Sequence, residues 1–139
     1  MFNINVTGLL LACKAALPLF PAEGGSIINI GSVVAEIAPP MATVYAGTKA
    51  AVHAITRVLA KELGPKKIRV NAVNPGAVST EGFKTAGLKE SGFEDQTVKN
   101  TLLGRVGQPD DVAAVVAFLA IDEARWVTGS LIDAAGGWR

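Results

Sequence analysis

The stretch Ser26-Ile-Ile-Asn-Ile-Gly-Ser32 has the composition of a short β-strand that runs into a turn. Its isoleucines are not separated by charged residues, which is typical of a strand covered on both faces of a sheet. Pro21 and Gly24-Gly25 come before it and end the preceding element. The stretch therefore predicts a strand at 26–30, with Ser32 just beyond its carboxyl end.

Helices are predicted on both sides of this strand in the sequence. Residues 3–20 are apolar around most of a helical surface, which predicts a helix that is buried on more than one side. Residues 43–63 repeat apolar side chains at helical spacing, and Thr43 is the predicted N-terminal cap. Gly64-Pro65 ends this second helix.

The rest of the chain continues the alternation of strands and helices. Strands are predicted at 68–74 and 131–133, and a helix begins at Pro109, where the acidic residues that follow favour its positive end. Residues 79–104 are polar and weakly periodic, which predicts a mobile lid rather than a core element. Strands that alternate with helices predict an α/β domain with a parallel sheet and helices on both faces, over residues 1–139.

Composition and charge exclude several classes of function. The net charge is +1, and no basic stripe is present that could bind nucleic acid. Cys13 and His53 are the only residues of their types, which indicates a reduced, cytoplasmic protein without a metal site. The apolar residues 4–20 are too few and too interrupted for a membrane span or a signal peptide.

Three residues could carry chemistry together: Ser32, Tyr45 and Lys49. Tyr45 and Lys49 are four residues apart at the start of a predicted helix and therefore share one face. Ser32 follows a strand, and ligands of parallel sheets bind at the carboxyl ends of the strands. A lysine beside a tyrosine favours the phenolate, so the phenol can exchange a proton closer to neutral pH. This set could protonate a carbonyl oxygen while a hydride arrives at its carbon.

Several ordered motifs surround these residues at regular spacing. They are Asn5-Val-Thr-Gly8, Ile28-Asn-Ile-Gly-Ser32, Tyr45-Ala-Gly-Thr-Lys49, Ile68-Arg-Val-Asn-Ala-Val-Asn-Pro-Gly76, Gly104-Arg-Val-Gly-Gln-Pro-Asp-Asp-Val112, Val127-Thr-Gly129 and Gly136-Gly137. In this pattern the whole chain resembles the C-terminal portion of a short-chain dehydrogenase/reductase, close to the 3-oxoacyl-carrier-protein reductase and glucose dehydrogenase branches. The resemblance implies hydride transfer between NADP or NAD and a small ketone or secondary alcohol.

The resemblance also implies a role for each matching residue. Tyr45 would be the acid/base, and Lys49 would favour its phenolate and bind the nicotinamide ribose. Ser32 would orient the substrate carbonyl, and Asn5 would hold a water in a proton relay to Lys49. The nicotinamide end of the cofactor would contact four further residues: Pro75, Gly76, Val78 and Thr80.

The family begins with a glycine-rich turn that receives the cofactor diphosphate, and no G-x-G occurs in this sequence. The expectation is a partial Rossmann-type three-layer fold without the N-terminal dinucleotide-binding βαβ units. The strand at 26–30 would then form an exposed edge. Helices 3–20 and 43–63, which form the main dimer contact in this family, predict a homo-oligomer.

Three functions stay open at this point. The chain could be the catalytic part of a carbonyl reductase or alcohol dehydrogenase encoded by a longer gene. It could be a catalytically inactive fragment that folds by self-association. It could also be an assembly unit in which the motifs no longer have a catalytic role. Substrate specificity would depend on residues 33–42 and 79–104.

Overall fold

The computed structural model describes residues 1–81 and 93–138, and for residues 93 and 94 it describes the backbone only. Its centre is a parallel sheet in the order β1-β2-β3, formed by Gly25–Ile30, Ile68–Pro75 and Leu131–Ala134. The predicted strands are confirmed to within a residue or two. Because all three run in the same direction, their carboxyl ends meet at one edge of the sheet.

The first helix covers the predicted residues but is wound unevenly. A π-helical segment, Asn3–Gly8, runs into α1 (Leu9–Ala16) and then into a 3-10 turn, Leu17–Leu19. The predicted burial on more than one side is wrong: Leu11 is 61% and Leu19 82% exposed. Only one side of this helix packs against the rest of the described chain, so apolar residues on its other side face solvent.

The helix that carries the predicted catalytic pair, α3, spans Thr43–Leu63 and follows a single short turn of helix, α2 (Val34–Ile37). Its bounds agree with the prediction, but the predicted cap is wrong. Thr43 is already helical, Ala42 occupies the cap position, and no side chain caps the helix. The loop before it passes through Met41 at φ 68°, and this turn brings Ala42, not Thr43, to the helix start.

The predicted lid at 79–104 contains a helix that the sequence pattern did not indicate. This helix, α4, spans Phe93–Asn100. Thr97 lies on this helix and Thr101 follows it, and both are nearly inaccessible to solvent. The Leu103 N–H donates to the Gly136 carbonyl at 3.1 Å. Residues 93–104 of the predicted lid are thus partly helical and are hydrogen-bonded to the segment after β3, and residues 82–92 lie outside the described part of the chain.

Apolar cores lie on both faces of the sheet, as a three-layer fold requires. On one face α3 packs onto β2 through four buried residues, Ala60, Leu63, Ile68 and Val70. On the other face α5 (Pro109–Ala120) covers the sheet, and Leu119 packs against Val73. β1 forms one edge of the sheet within the described residues, and Ile30 at its end is 47% exposed.

Asp111 joins the start of α5 to the loop before it. Its carboxylate accepts hydrogen bonds from the Arg105 guanidinium at 2.6 and 2.8 Å and from the Gln108 backbone N–H at 2.7 Å. The Arg105 hydrogen bonds, followed by the one from Gln108, hold the pKa of Asp111 far below its ordinary value. The ionised carboxylate therefore favours the folded state.

Asp111→Asn is expected to lower the thermal unfolding midpoint at neutral pH and to have little effect in strong acid. The folded-state pKa lies below the unfolded value of about 3.9, so the stabilisation is complete above that value and is lost as the pH falls below it. The effect should be modest and salt-dependent, because both partners are exposed. Asp110→Asn controls for the charge at the helix start. A difference from the wild type that persists undiminished in acid would contradict this account.

Candidate active site

Ser32 lies at the carboxyl edge of the sheet, where the sequence predicts it. The Gly31 N–H donates to the Val73 carbonyl at 2.8 Å, which extends the pairing of β1 with β2 by one residue. Ser32 is only 6% exposed, and its Oγ accepts a hydrogen bond from the Val34 N–H at 3.2 Å. Since that bond uses an oxygen lone pair, the hydroxyl hydrogen stays available for a ligand.

Tyr45 and Lys49 lie one turn apart on α3, and the structure places Lys49 next to the Tyr45 ring. The Lys49 Nζ is 5.7 Å from the ring centroid and donates to the Ile30 carbonyl at 2.9 Å. Partial burial lowers the pKa of the Lys49 ammonium from its ordinary value. Lys49 therefore connects the Tyr45 ring to the end of β1, two residues before Ser32.

Tyr45 is the accessible member of this group. Its side chain is 36% exposed, whereas Lys49 is half-buried beneath it. The Tyr45 ring can therefore be reached by a ligand that comes from solvent, while the Lys49 ammonium stays beside it.

Asn5 reaches the same helix, but through a residue that the sequence analysis did not single out. The Asn5 Nδ2 donates to Thr48 Oγ1 at 3.1 Å, and Thr48 Oγ1 donates to the Tyr45 carbonyl at 2.8 Å. Thr48 is inaccessible to solvent. Its spacing of three residues from Tyr45 could have marked it as part of this group.

The four further residues predicted to contact the cofactor lie at the end of β2 and just beyond it, along the same edge. The Val33 N–H donates to the Pro75 carbonyl at 3.2 Å, so the turn at Pro75-Gly76 is hydrogen-bonded to the loop that carries Ser32. Gly76 donates to the Ala134 carbonyl at 3.2 Å, and a Cβ on Gly76 would lie 2.9 Å from that of Ala135.

The chain then leaves the sheet beyond Gly76. Val78 forms a parallel bridge with Gly107, and Thr80 is exposed. Lys49 can hydrogen-bond hydroxyl groups, and Gly76 and Val78 offer a close backbone and an apolar surface. These residues fit the nicotinamide end of a dinucleotide.

A buried polar pair beneath the site was missed by the sequence analysis. His53 is 6% exposed and lies 2.8 Å from Asn74 Oδ1 through its Nε2. Asn74 Nδ2 donates to Asp133 Oδ1 at 2.9 Å. Asn74 and Asp133 are opposite each other in the β2–β3 register, so the sheet pairing had to be known to find this contact.

Two other kinds of feature are absent from the described residues. No helix in residues 1–81 and 93–138 is both long and apolar enough to span a bilayer. Within the same ranges, no group of three or more His, Cys, Asp or Glu side chains is placed to hold a metal ion.

The chain belongs to the short-chain dehydrogenase/reductase family. All of it, residues 1–139, matches the family model described as Enoyl-(Acyl carrier protein) reductase. The resemblance noted in the sequence is thereby confirmed, and so is the Rossmann-type open parallel sheet.

Individual relatives cover the chain almost completely. It is 58% identical over 139 residues to an uncharacterized oxidoreductase of Methylorubrum extorquens, covering 100% of this chain and 56% of that protein. It is 40% identical over 138 residues to the 3-oxoacyl-(acyl-carrier-protein) reductase FabG of Thermotoga maritima, covering 99% of this chain and 55% of that enzyme.

A solved structure has the same fold. It is a gluconate 5-dehydrogenase from Burkholderia cenocepacia in complex with NADP and tartrate, with a TM-score of 0.92 and 32% identity over 99% of this chain and 54% of that one. The chain thus spans about half the length of the relatives it matches.

Proposed function

We propose that the protein is an NAD(P)-dependent oxidoreductase that transfers a hydride between the cofactor and a small ketone or secondary alcohol. The observation that carries this proposal is the position of Lys49. Its Nζ lies 5.7 Å from the Tyr45 ring centroid while it is hydrogen-bonded to Ile30, beside the turn that carries Ser32. A general acid, the cation that activates it and a hydroxyl donor are thus held at one edge of the sheet.

Each of these side chains has one task in ketone reduction. The Ser32 hydroxyl donates its free hydrogen to the carbonyl oxygen of the substrate and orients it. The Tyr45 hydroxyl gives that oxygen a proton as negative charge develops on it. Lys49 then stabilises the phenolate that is left on Tyr45. A bound NADPH or NADH would supply the hydride that adds to the carbonyl carbon.

Lys49 also takes part in holding the cofactor. An ammonium has three donor hydrogens, and the Ile30 carbonyl uses one of them. The others can hydrogen-bond the ribose hydroxyls of NADP or NAD. The nicotinamide would be held at the sheet edge by four residues: Pro75, Gly76, Val78 and Thr80. Asn5 supports α3 through Thr48 and completes a proton relay to Lys49 with a bound water.

The alternative is a catalytically inactive fragment that folds by self-association. One observation favours it: many large apolar residues are exposed in the described part of the chain. Ile4 on the first helix and Val58 on α3 are 79% and 52% exposed. In either function we propose that the first helix and α3 form a homo-oligomer contact, which would cover such residues.

Leu11→Glu is expected to shift the chain toward monomers in sedimentation at micromolar concentration. Leu11 is 61% exposed, so a charge there should disturb the fold little while opposing an apolar contact between copies. Met41→Glu, at a fully exposed loop residue, is the matched control and should sediment like the wild type. A wild-type chain that is already a monodisperse monomer would contradict the self-association.

Cofactor binding separates the enzyme from the inactive fragment. NADPH and NADH are titrated against the chain of 139 residues, following the fluorescence of Trp126 and Trp138. Micromolar binding that Lys49→Met weakens would support the enzyme for this chain as it stands. No binding up to millimolar cofactor would support the inactive fragment.

A graft tests the catalytic residues when the free chain does not bind cofactor. In the grafted protein this chain replaces the segment that it matches in the Thermotoga maritima reductase, about half of that enzyme. NADPH-dependent ketone reduction that requires Tyr45 would show that these residues are competent. A folded, cofactor-binding graft without turnover would contradict the proposed mechanism.

A further inference from the structure

His53, Asn74 and Asp133 form a continuous row of hydrogen bonds under the carboxyl edge of the sheet. The row runs from α3 to β2 to β3, with 2.8 Å between His53 Nε2 and Asn74 Oδ1 and 2.9 Å between Asn74 Nδ2 and Asp133 Oδ1. His53 is 6% exposed and Asn74 is inaccessible. Asp133 at the far end is exposed, so its charge stays hydrated.

The direction of these hydrogen bonds is fixed by chemistry. An ionised carboxylate only accepts, so Asn74 must turn its NH₂ group to Asp133 and its oxygen to His53. An amide oxygen only accepts as well, so His53 must donate through Nε2. The row therefore specifies which ring nitrogen of His53 carries a hydrogen.

The row is packed against the backbone that precedes Ser32. A Cβ added to Gly31 would overlap Asn74 Oδ1 and come within 2.9 Å of His53 Nε2. No larger residue fits there without moving the pair or the turn. His53 and Asn74 thus determine how closely the Gly31-Ser32 turn approaches α3.

The same two residues border the other parts of the site. His53 is one helical turn beyond Lys49 on α3, and Asn74 immediately precedes Pro75. One hydrogen bond therefore connects the helix of the acid/base pair to the strand that leads into the cofactor turn. His53 and Asn74 also lie against the Gly31-Ser32 turn, which carries the serine proposed to orient the substrate.

We propose that His53 and Asn74 are positioning residues that fix Ser32 and the Pro75-Gly76 turn relative to Tyr45 and Lys49. This inference rests on the proposed function, since it concerns the geometry of the same site. Neither residue touches the substrate. Their loss moves Ser32 and the Pro75-Gly76 turn away from the positions that proton and hydride transfer require. Small displacements of that kind slow catalysis strongly.

Two substitutions of His53 separate positioning from simple packing. His53→Gln places an amide NH₂ where the ring Nε2 stands and can restore the hydrogen bond to Asn74. His53→Phe fills the ring volume without a donor. We expect His53→Phe to lower kcat by about tenfold with the cofactor KM nearly unchanged, and His53→Gln to stay within about threefold of the wild type. Equal kcat values for both variants per folded molecule would overturn the proposal.

A measurement without turnover tests the row itself. His53 is the only histidine, so ¹H–¹⁵N spectra of imidazole report on this one side chain. We expect a hydrogen on Nε2 that exchanges slowly with solvent, and shifts of the Ser32 and Gly76 amide signals in His53→Phe that are absent in His53→Gln. A neutral ring protonated at Nδ1, or rapid Nε2 exchange, would overturn the proposal. If neither the wild-type chain nor its graft shows turnover, the proposed function fails, and the spectra alone decide on the row.

Discussion

Tyr45→Phe is expected to lower kcat for NAD(P)H-dependent ketone reduction by about 10²- to 10⁴-fold, the usual contribution of a general acid. The phenyl ring keeps the shape of the side chain but has no proton to give to the developing alkoxide. Because the Tyr45 side chain is already partly exposed, the change should leave the thermal unfolding midpoint nearly unaltered. The decrease of NAD(P)H absorbance with time measures the rate, and tryptophan fluorescence measures cofactor binding.

A neighbouring substitution controls for damage to the helix. Val44 precedes Tyr45 on α3 and is 54% exposed, so Val44→Thr changes a residue of similar accessibility in the same turn. This variant should retain wild-type kcat. A Tyr45→Phe variant that keeps most of its activity would exclude Tyr45 as the acid, and equal losses in both variants would indicate a local folding defect.

Lys49→Met is expected to have two effects at once: a kcat lower by about 10²-fold or more and a higher cofactor KM. Methionine keeps much of the apolar stem but removes the cation 5.7 Å from the Tyr45 ring, so the phenolate loses its stabilising charge. In the proposed site the ribose loses its donor as well. Alcohol oxidation uses Tyr45 as a base in the proposed mechanism, and it should therefore need a higher pH to reach its maximum rate.

The pH dependence distinguishes this role from a purely structural one. Lys61→Met, at the other end of α3, removes a positive charge from an exposed position and should leave the profile unchanged. A Lys49→Met profile that coincides with that of the wild type would contradict the activation of Tyr45 by Lys49. A changed profile with an unchanged cofactor KM would contradict only the contact with the ribose.

The strands and α3 could be predicted because glycine and proline end each apolar run in the sequence. The start of α3 at 43 follows from apolar spacing, but its cap depends on the positive φ of Met41, which sequence periodicity does not report. Burial of the first helix was overestimated for a related reason. Apolar content does not distinguish residues packed within the chain from residues such as Leu11, which are free to contact another copy.

The site was predictable where its residues are close in sequence. Tyr45 and Lys49 share a helix face by their spacing alone, and Ser32 follows a strand that the sequence shows clearly. The contacts that hold them come from distant elements. The Ile30 carbonyl under Lys49 requires the packing of α3 on the sheet, and the Asn74–Asp133 pair requires the β2–β3 register.

Transfer of label from the cofactor tests the central claim most directly. The grafted protein is incubated with NADPH that carries deuterium at the transferable position of the nicotinamide and with a small ketone, and the alcohol is analysed by mass spectrometry. We expect one deuterium at the carbinol carbon with the wild-type chain and a loss of about 10²-fold or more in labelled product with Tyr45→Phe. Unlabelled alcohol, or equal labelling with Tyr45→Phe, would contradict the proposed hydride transfer.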